Sequence, residues 1–213
     1  MLKWIVALVV VVALVVAGDV AARKFAEHQI AHDIVAHEKG STATVHISSF
    51  PFVARLAISR EIPKISADVK NVPVTTPVGD FKLDAVNLTL NHVKVDLGPL
   101  TAGSDGAVKS IKSGTVRAEM SEETISKLVK VPVTLGDGTA KVTVAGIPLG
   151  GTVKVVNGKT LHLSAAGFSL DVPLPDIPVL PCLGGVAIIP GYLIIACAFH
   201  QVPAAFLQAA GAA

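Results

Sequence analysis

Apolar residues recur every four positions in the segment DVAARKFAEHQIAHDIVAHE, which runs from Asp19 to Glu38. The residues that hold this spacing are Ala22, Ala26, Ile30 and Ile34, and Phe25 extends their face. Spacing near the helical repeat predicts an amphipathic helix, and Gly40 provides a suitable stop signal. The pattern therefore predicts a first helix with one apolar side.

An unbroken apolar run from Trp4 to Ala17 precedes this helix and follows Lys3. The run has the length of the apolar region of a signal peptide and falls short of the ~20 residues of a typical membrane-spanning helix. Small residues near Gly18 suit cleavage, whereas a longer span would carry Asp19 to the membrane edge. Residues 1–18 are predicted to be a signal peptide or an N-terminal membrane anchor, and either one exports the rest of the chain.

Strand-like alternation of apolar and polar residues dominates the chain after Gly40. In the segment FKLDAVNLTLNHVKVDLG, residues 81–98, the parity of the apolar positions changes after Ala85 and again after Leu90. Because a change of one residue moves side chains to the other face of a sheet, each change predicts a β-bulge, bend or turn. The strands are therefore expected to be long and curved.

Local signals predict a second helix and two hairpins further along. Ser121 is a suitable N-cap for a helix that ends at Lys130, with acidic residues in its first turn. Gly136-Asp-Gly138 and Asn157-Gly158 are hairpin turns. The proline-rich stretch 172–181 is expected to be an extended rim segment, and residues 192–199 a strand or helix buried on both sides.

The predicted strands, each apolar on one face, have more apolar surface than two helices can cover. The sheet must therefore close on itself, pack as a sandwich, or face something that is not protein. The chain is 51% hydrophobic but only 4% aromatic, so its apolar surface is mainly Val, Ile, Leu and Ala. This composition suits a lipid-lined groove, and it suits a well-packed sandwich core equally.

Charge and cysteine content narrow the partners and the compartment. The formal net charge is +2, with basic residues scattered along the chain, so no basic patch for nucleic acid is predicted. Cys182 and Cys197 are the only cysteines. In an exported chain, such a pair favours a disulfide bond between them.

No pattern of residues predicts catalysis, a metal site or a cofactor. His28 and His32 lie four apart on the first helix, but the HExxH order of zinc hydrolases is absent. Ser104 and Ser164 lack a nucleophile-elbow context, and no pair of carboxylates suggests hydrolysis. The sequence thus predicts a binding protein that has no enzyme activity, no cofactor and no metal.

The stretch ISSFPFVARL, residues 47–56, resembles the FPF signature near the start of the LmeA-like phospholipid-binding proteins of actinobacterial cell envelopes. Members of that family share a signal or anchor, then a helix, then a strand followed by FPF. They also share proline-leucine-proline segments like Val172-Pro-Leu-Pro175. The resemblance covers about residues 20–200.

The resemblance implies an α+β fold in which a long curved antiparallel sheet wraps around a helix, of the tubular lipid-binding (BPI-like) type. It also implies phospholipid binding on the periplasmic side of the cell membrane, support of mannan-type lipoglycan assembly, and cooperation with envelope glycosyltransferases. The expected organisation is a leader or anchor over 1–18, one lipid-binding domain over 19–205 and a flexible tail over 206–213.

Pro51 fixes its own φ and favours extended geometry at Phe50, so Phe50 and Phe52 are expected to point the same way. Together they would plug the sheet interior or line the mouth of a groove. The predicted groove residues are Phe50, Phe52, Ile65, Val69, Phe81, Leu83, Leu88, Leu90, Val142 and Val144. Arg55 and Arg60 are candidates for contact with a lipid phosphate.

Two other functions remain open at this stage. A non-catalytic structural or adhesion module anchored at the cell envelope would have a tightly packed sandwich and an exposed patch for another protein. An enzyme of lipoglycan assembly would need polar residues that converge in the groove.

Overall fold

The computed structural model describes residues 2–37, 40–76, 79–96, 98, 108–136, 138–144, 146–156, 160–165, 168–173, 185–200 and 202. These residues form helices α1 (Leu2–His37), α2 (Phe52–Ser59) and α3 (Glu122–Val129). The strands are β1 (Thr42–Ile47), β2 (Glu61–Thr76), β3 (Gly79–Val95), β4 (Val108–Ser121), β5 (Val133–Gly136), β6 (Thr139–Val144), β7 (Ile147–Val156), β8 (Thr160–Ala165), β9 (Phe168–Pro173), β10 (Gly185–Ile189) and β11 (Tyr192–Phe199).

The strands form two antiparallel sheets. The long sheet has six strands in the order β1-β2-β3-β4-β11-β10, and the short sheet is a five-stranded meander in the order β5-β6-β7-β8-β9. The predicted mixed α+β class with a large antiparallel sheet is confirmed. Residues 192–199 form a strand of the long sheet, while residues 174–181 of the predicted rim segment lie outside the described residues.

Each predicted parity change lies near one left-handed residue of the β2–β3 hairpin. His92 follows Leu90 by two positions, and Asn71 of β2 lies between the pairs Lys70↔Ala85 and Val72↔Leu83. Asn71 (φ 56°) and His92 (φ 53°) lie inside long strands, yet β2 and β3 keep one register from Glu61↔Lys94 to Thr76↔Gly79. Leu90 and Val93 show the effect, because they are three positions apart on β3 and yet pack in the same hydrophobic cluster. The parity of the core-facing positions therefore changes along the strand while the register of the β2–β3 pair stays the same.

One face of the long sheet carries two hydrophobic clusters, end to end. We call them the α1 cluster (Ile47, Phe52, Ile62, Val93, Val95, Ile111, Val116, Cys197 and Phe199) and the α3 cluster (Leu83, Ala118, Met120, Ile125, Val133, Leu135, Ala140, Val142 and Leu193). Val116 and Ala118 of β4 differ by two positions and so share a face. Helices α1 and α2 therefore cover one end of the sheet, and α3 with the short sheet covers the other.

Helix α1 packs through three of the four apolar residues that were predicted to share a face. Ala22, Ala26 and Ile30 contact the α1 cluster. Phe25, predicted to extend this face, is instead 72% exposed, because a residue one position from Ala26 points about 100° away from it around the helix. The apolar side of α1 is thus narrower than the sequence pattern indicated.

The close approach of β4 and β11 depends on a glycine. A Cβ atom at Gly114 would lie 2.4 Å from Cζ of Phe199 and 2.8 Å from the carbonyl oxygen of Thr89. The ring of Phe199 therefore occupies the space that a side chain at position 114 would take. This packing closes the α1 cluster.

Helix α1 runs without interruption through Gly18 and Asp19. Across the part of the chain that the structure describes, no helix has both the length and the apolar character needed to span a membrane. The predicted disulfide stays a prediction because Cys182 lies outside the described residues. Cys197 is buried on β11.

Candidate functional site

The FPF stretch opens a helix that the sequence analysis did not predict. Pro51 occupies the N-cap position of α2 with extended geometry (φ −67°, ψ 129°) and offers no side-chain acceptor. The helix ends at Ser59, and the N–H of the C-cap residue Arg60 donates to the carbonyl oxygen of Leu56. Phe52 and Leu56, four apart, face the α1 cluster, and this spacing was the signal available in the sequence.

Asp19 of α1 supplies the missing cap. Its Oδ2 accepts a hydrogen bond from the backbone N–H of Phe52 at 2.9 Å, and its Oδ1 accepts one from Val53 at 2.7 Å. Asp19 is only 6% exposed. The first N–H groups of a helix lack partners within the helix and carry partial positive charge, which suits a carboxylate. The side chain thus fixes α2 against α1.

The two phenylalanines of the motif separate, contrary to the expectation that they point the same way. Phe52 is 6% exposed and belongs to the α1 cluster, whereas Phe50 is 59% exposed. The expectation assumed an extended chain, but the helix begins at Phe52, so the two-residue alternation of a strand does not apply. Phe52 fills the core, and Phe50 stays at the surface.

Phe50 lines an apolar cleft between α1 and α2. The cleft has a volume of about 350 Å³ and is lined by Val15, Val16, Gly18, Asp19, Phe50, Pro51, Val53, Ala54 and Ala57. Asp19 is the one charged residue of this lining, and its carboxylate oxygens are engaged by α2. Both Val15 and Phe50 are largely exposed at its edge. The cleft is therefore open to solvent and apolar inside.

The remaining predicted groove residues do not meet in one groove. Ile65, Leu88 and Leu90 pack against the α1 cluster, whereas Phe81, Leu83 and Val142 belong to or pack against the α3 cluster. Val69 is half-buried on β2, opposite Val86. The side chain of Val144 lies outside the described part of the chain.

The two candidate arginines lie on and just after α2, both exposed. In the described part of the chain, Arg55 makes no ion pair. Arg60 adopts the left-handed conformation (φ 51°), and its carbonyl oxygen accepts a hydrogen bond from the N–H of Val95. Arg55 directly follows Ala54 of the cleft lining in sequence, whereas Arg60 is three residues after Ala57, the last lining residue of α2.

A second cavity, of about 540 Å³, lies beside α3 and has a different character. Its lining is largely charged or polar and includes Asp80, Lys82, Asp84, Glu123, Lys127 and Lys130. Asp84 accepts hydrogen bonds from the N–H of Ser121 and the hydroxyl of Thr124. Such walls do not suit an acyl chain.

Three histidines on the strands lie against carboxylates. His46 lies 3.2 Å from Glu27, and His92 and His162 pair with Glu61 and Asp171. Among the described residues, no group of three or more His, Cys, Asp and Glu side chains could hold a metal ion.

Glu27 is 4% exposed and joins α1 to β1. Its Oε1 accepts the N–H of Ile47 at 2.8 Å, and its Oε2 accepts the ammonium of Lys24 at 2.7 Å. Burial raises the pKa of Glu27, but these two hydrogen bonds and the charges of Lys24 and His46 outweigh it. The pKa therefore lies below its ordinary value. Glu27 is a structural anion outside the cleft.

Comparison with protein families gave a match to the LmeA-like phospholipid-binding family over residues 17–188. The matched region begins next to Asp19 and includes the FPF stretch, α2, α3 and the short sheet. Comparison with curated proteins and with solved structures gave no significant match. Since the match covers more than half of the chain, this protein belongs to the LmeA-like phospholipid-binding family.

Proposed function

We propose that the protein binds one phospholipid without catalysis and holds an acyl chain in the cleft between α1 and α2. The observation that carries this proposal is the apolar lining that the FPF stretch and the capped helix α2 build together. Its volume of about 350 Å³ falls within the range of small-molecule pockets, which are mostly apolar with few polar groups. The family to which the chain belongs is named for phospholipid binding.

The phosphate of the lipid head group would contact Arg55 and, more remotely, Arg60. Arg55 is exposed on α2 and directly follows Ala54 of the cleft lining. A guanidinium binds phosphate oxygens through two charge-assisted hydrogen bonds. The acyl chain would then enter between Phe50 and Val15, with the head group left in water.

The finer expectations from the family resemblance belong to the same proposal. They are a tubular, BPI-like wrap of the sheet, an extracytoplasmic domain over 19–205, and a leader or membrane anchor over 1–18. They also include support of lipoglycan assembly together with envelope glycosyltransferases. The uninterrupted apolar run from Trp4 to Ala17 supports the leader or anchor, and the other expectations follow from membership of the family.

Native mass spectrometry of the full chain tests the proposal. The protein is purified from bacterial membranes in a mild detergent, and the detergent is released in the gas phase. We expect a mass increment equal to that of a phospholipid on the wild-type chain. Ala57→Trp fills the cleft, so the increment should disappear from that variant.

The matched control is Ile147→Trp, which places the same side chain at a 62% exposed position of the short sheet. This variant should keep the phospholipid increment. An increment that is absent from all three proteins, or equally present on Ala57→Trp, would contradict lipid binding in this cleft.

A further inference from the structure

Helix α2 lies at the surface yet is apolar nearly all round. Phe52 and Leu56 face the core, while Val53 is 48% and Ile58 86% exposed on the outward side. At 100° per residue, the outward side runs from Val53 through Ala57 and Ala54 to Ile58. A helix with apolar residues on every side normally lies in a protein core or a membrane. The outward side of α2 therefore lacks the solvent-facing polar residues of an ordinary surface helix.

The exposed apolar surface continues from α2 onto α1. Leu14 is 67% and Val15 66% exposed, and Phe50 adds its ring between the two helices. The cleft joins them, because Val15, Phe50 and Val53 all line it. We call this surface the apolar face, defined by Leu14, Val15, Phe50, Val53, Ala57 and Ile58. Contiguous patches of this kind mark interaction sites for proteins or membranes.

Charge distinguishes between these two kinds of partner. Arg55 lies on α2 at the border of the outward side, and it makes no ion pair among the described residues. Asp19, the one carboxylate in the lining of the adjoining cleft, is buried and accepts hydrogen bonds from N–H groups of α2. Among the described residues, this surface is therefore apolar, with one arginine at its border and no unpaired carboxylate, which suits an anionic lipid surface.

The position of α2 along α1 agrees with a membrane partner. The cap from Asp19 fixes the start of α2 immediately after the apolar run that ends at Ala17. A segment of α1 taken up by a bilayer would hold α2 at the level of the lipid head groups. The apolar face is thus continuous with the part of the chain that has the strongest apolar character.

We propose that the apolar face docks the protein on an anionic lipid bilayer, with α2 lying flat at the boundary between head groups and acyl chains. Val53, Ala57 and Ile58 point into the bilayer, and Arg55 contacts lipid phosphates. The cleft then opens directly into the leaflet, so a lipid can pass between bilayer and protein without crossing water. The docking itself does not depend on an occupied cleft.

Brominated lipids test the depth of α2 in the bilayer. Trp4 is the only tryptophan of the chain, so Trp4→Phe provides a background without tryptophan emission. Ile58→Trp or Ile147→Trp is added to this background in the full chain. Each protein is reconstituted in vesicles of phosphatidylcholine and phosphatidylglycerol, with or without bromine on the acyl chains.

We expect bromine to quench the emission from position 58 several-fold more than that from position 147. Equal quenching at both positions would overturn the proposal, since the whole domain would then contact lipid without preference for α2. An absence of quenching at position 58 would also overturn it. A second copy of the chain covering the apolar face would give that result together with dimers in a cross-linking assay.

The two proposals fail separately. Quenching at position 58 with no phospholipid increment in mass spectrometry would leave docking in place and refute lipid binding in the cleft. A phospholipid increment with an unquenched position 58 would support lipid binding in the cleft and refute docking through α2.

Discussion

Asp19 shows how one side chain can change the meaning of a local sequence. A carboxylate beside an apolar run is costly near a membrane and equally costly in a protein interior. Here both carboxylate oxygens accept N–H groups that α2 could not satisfy by itself. The charge is compensated by the helix terminus, and the helix gains the cap that Pro51 cannot provide.

Replacing Asp19 by alanine should therefore weaken the attachment of α2. We expect Asp19→Ala to lower the free energy of unfolding by about 1–2 kcal/mol, the usual effect of removing a cap. Urea denaturation followed by circular dichroism measures this change. The control is Asp33→Ala, an exposed residue of the same helix, which should change stability by less than about 0.5 kcal/mol. Equal effects of the two substitutions would refute the capping role.

The phenylalanine pair marks a limit of sequence analysis at the same scale. The family resemblance placed the FPF stretch after a strand, and in the structure β1 does end at Ile47, before that stretch. The sequence did not indicate the separation of Phe50 from Phe52, because α2 is capped by a residue 33 positions away. A helix whose cap is remote in sequence has no local start signal.

Elements with local signals were predicted correctly, and α3 is the clearest case. Ser121 accepts the N–H of Thr124 as its N-cap, as predicted. The hairpins at Gly136–Gly138 and after Val156 form with the predicted partners. These elements depend on interactions within a few residues, whereas the place of α2 depends on tertiary packing.

At the scale of elements, Glu27 joins α1 to β1, and its lowered pKa sets the direction of a pH effect. In the unfolded chain, Glu27 has its ordinary pKa near 4.5. As the pH falls, the unfolded chain therefore takes up a proton on Glu27 before the folded protein does. The unfolded state then binds more protons, and stability falls as pH falls. The contribution of Glu27 is complete above about pH 5 and is lost as pH drops below 4.5 through the lowered pKa.

Glu27→Gln should accordingly reduce the acid dependence of stability. We expect its free energy of unfolding to fall less steeply than that of wild type below pH 4.5, measured by urea denaturation at several pH values. Glu123→Gln removes an exposed ion pair with Lys127 and should keep the wild-type slope. A wild-type slope in Glu27→Gln would show that this carboxylate does not link stability to pH.

For the whole molecule, the α3 cluster joins the two sheets into one cooperative unit. Ile125 of α3 is 2% exposed and contacts a cluster that draws Met120 from the long sheet and Leu135 from the short sheet. The sequence indicated one-sided apolar strands, but it did not indicate which element covers which end. For that reason the ten predicted groove residues were assigned to one surface, although the structure divides most of them between two clusters.

Truncation of Ile125 tests this unity. We expect Ile125→Ala to lower the free energy of unfolding by about 2–4 kcal/mol, since it leaves a cavity in the shared core. Amide exchange should accelerate in both sheets together. Ile147→Ala, at an exposed site of the short sheet, should have little effect. Faster exchange confined to the short sheet would indicate two independent folding units.

The left-handed residues in the β2–β3 hairpin have a consequence for folding. Strands of 16 and 17 residues could pair in several registers if their alternation were uniform. Asn71 and His92 divide that alternation at fixed points, so a two-residue slip would place the face changes of the two strands out of step. At those points, one strand would expose its apolar side chains while the paired strand buries its own. Misaligned hairpins are thereby disfavoured while the chain is still folding, before any of the three described helices has packed on the sheet.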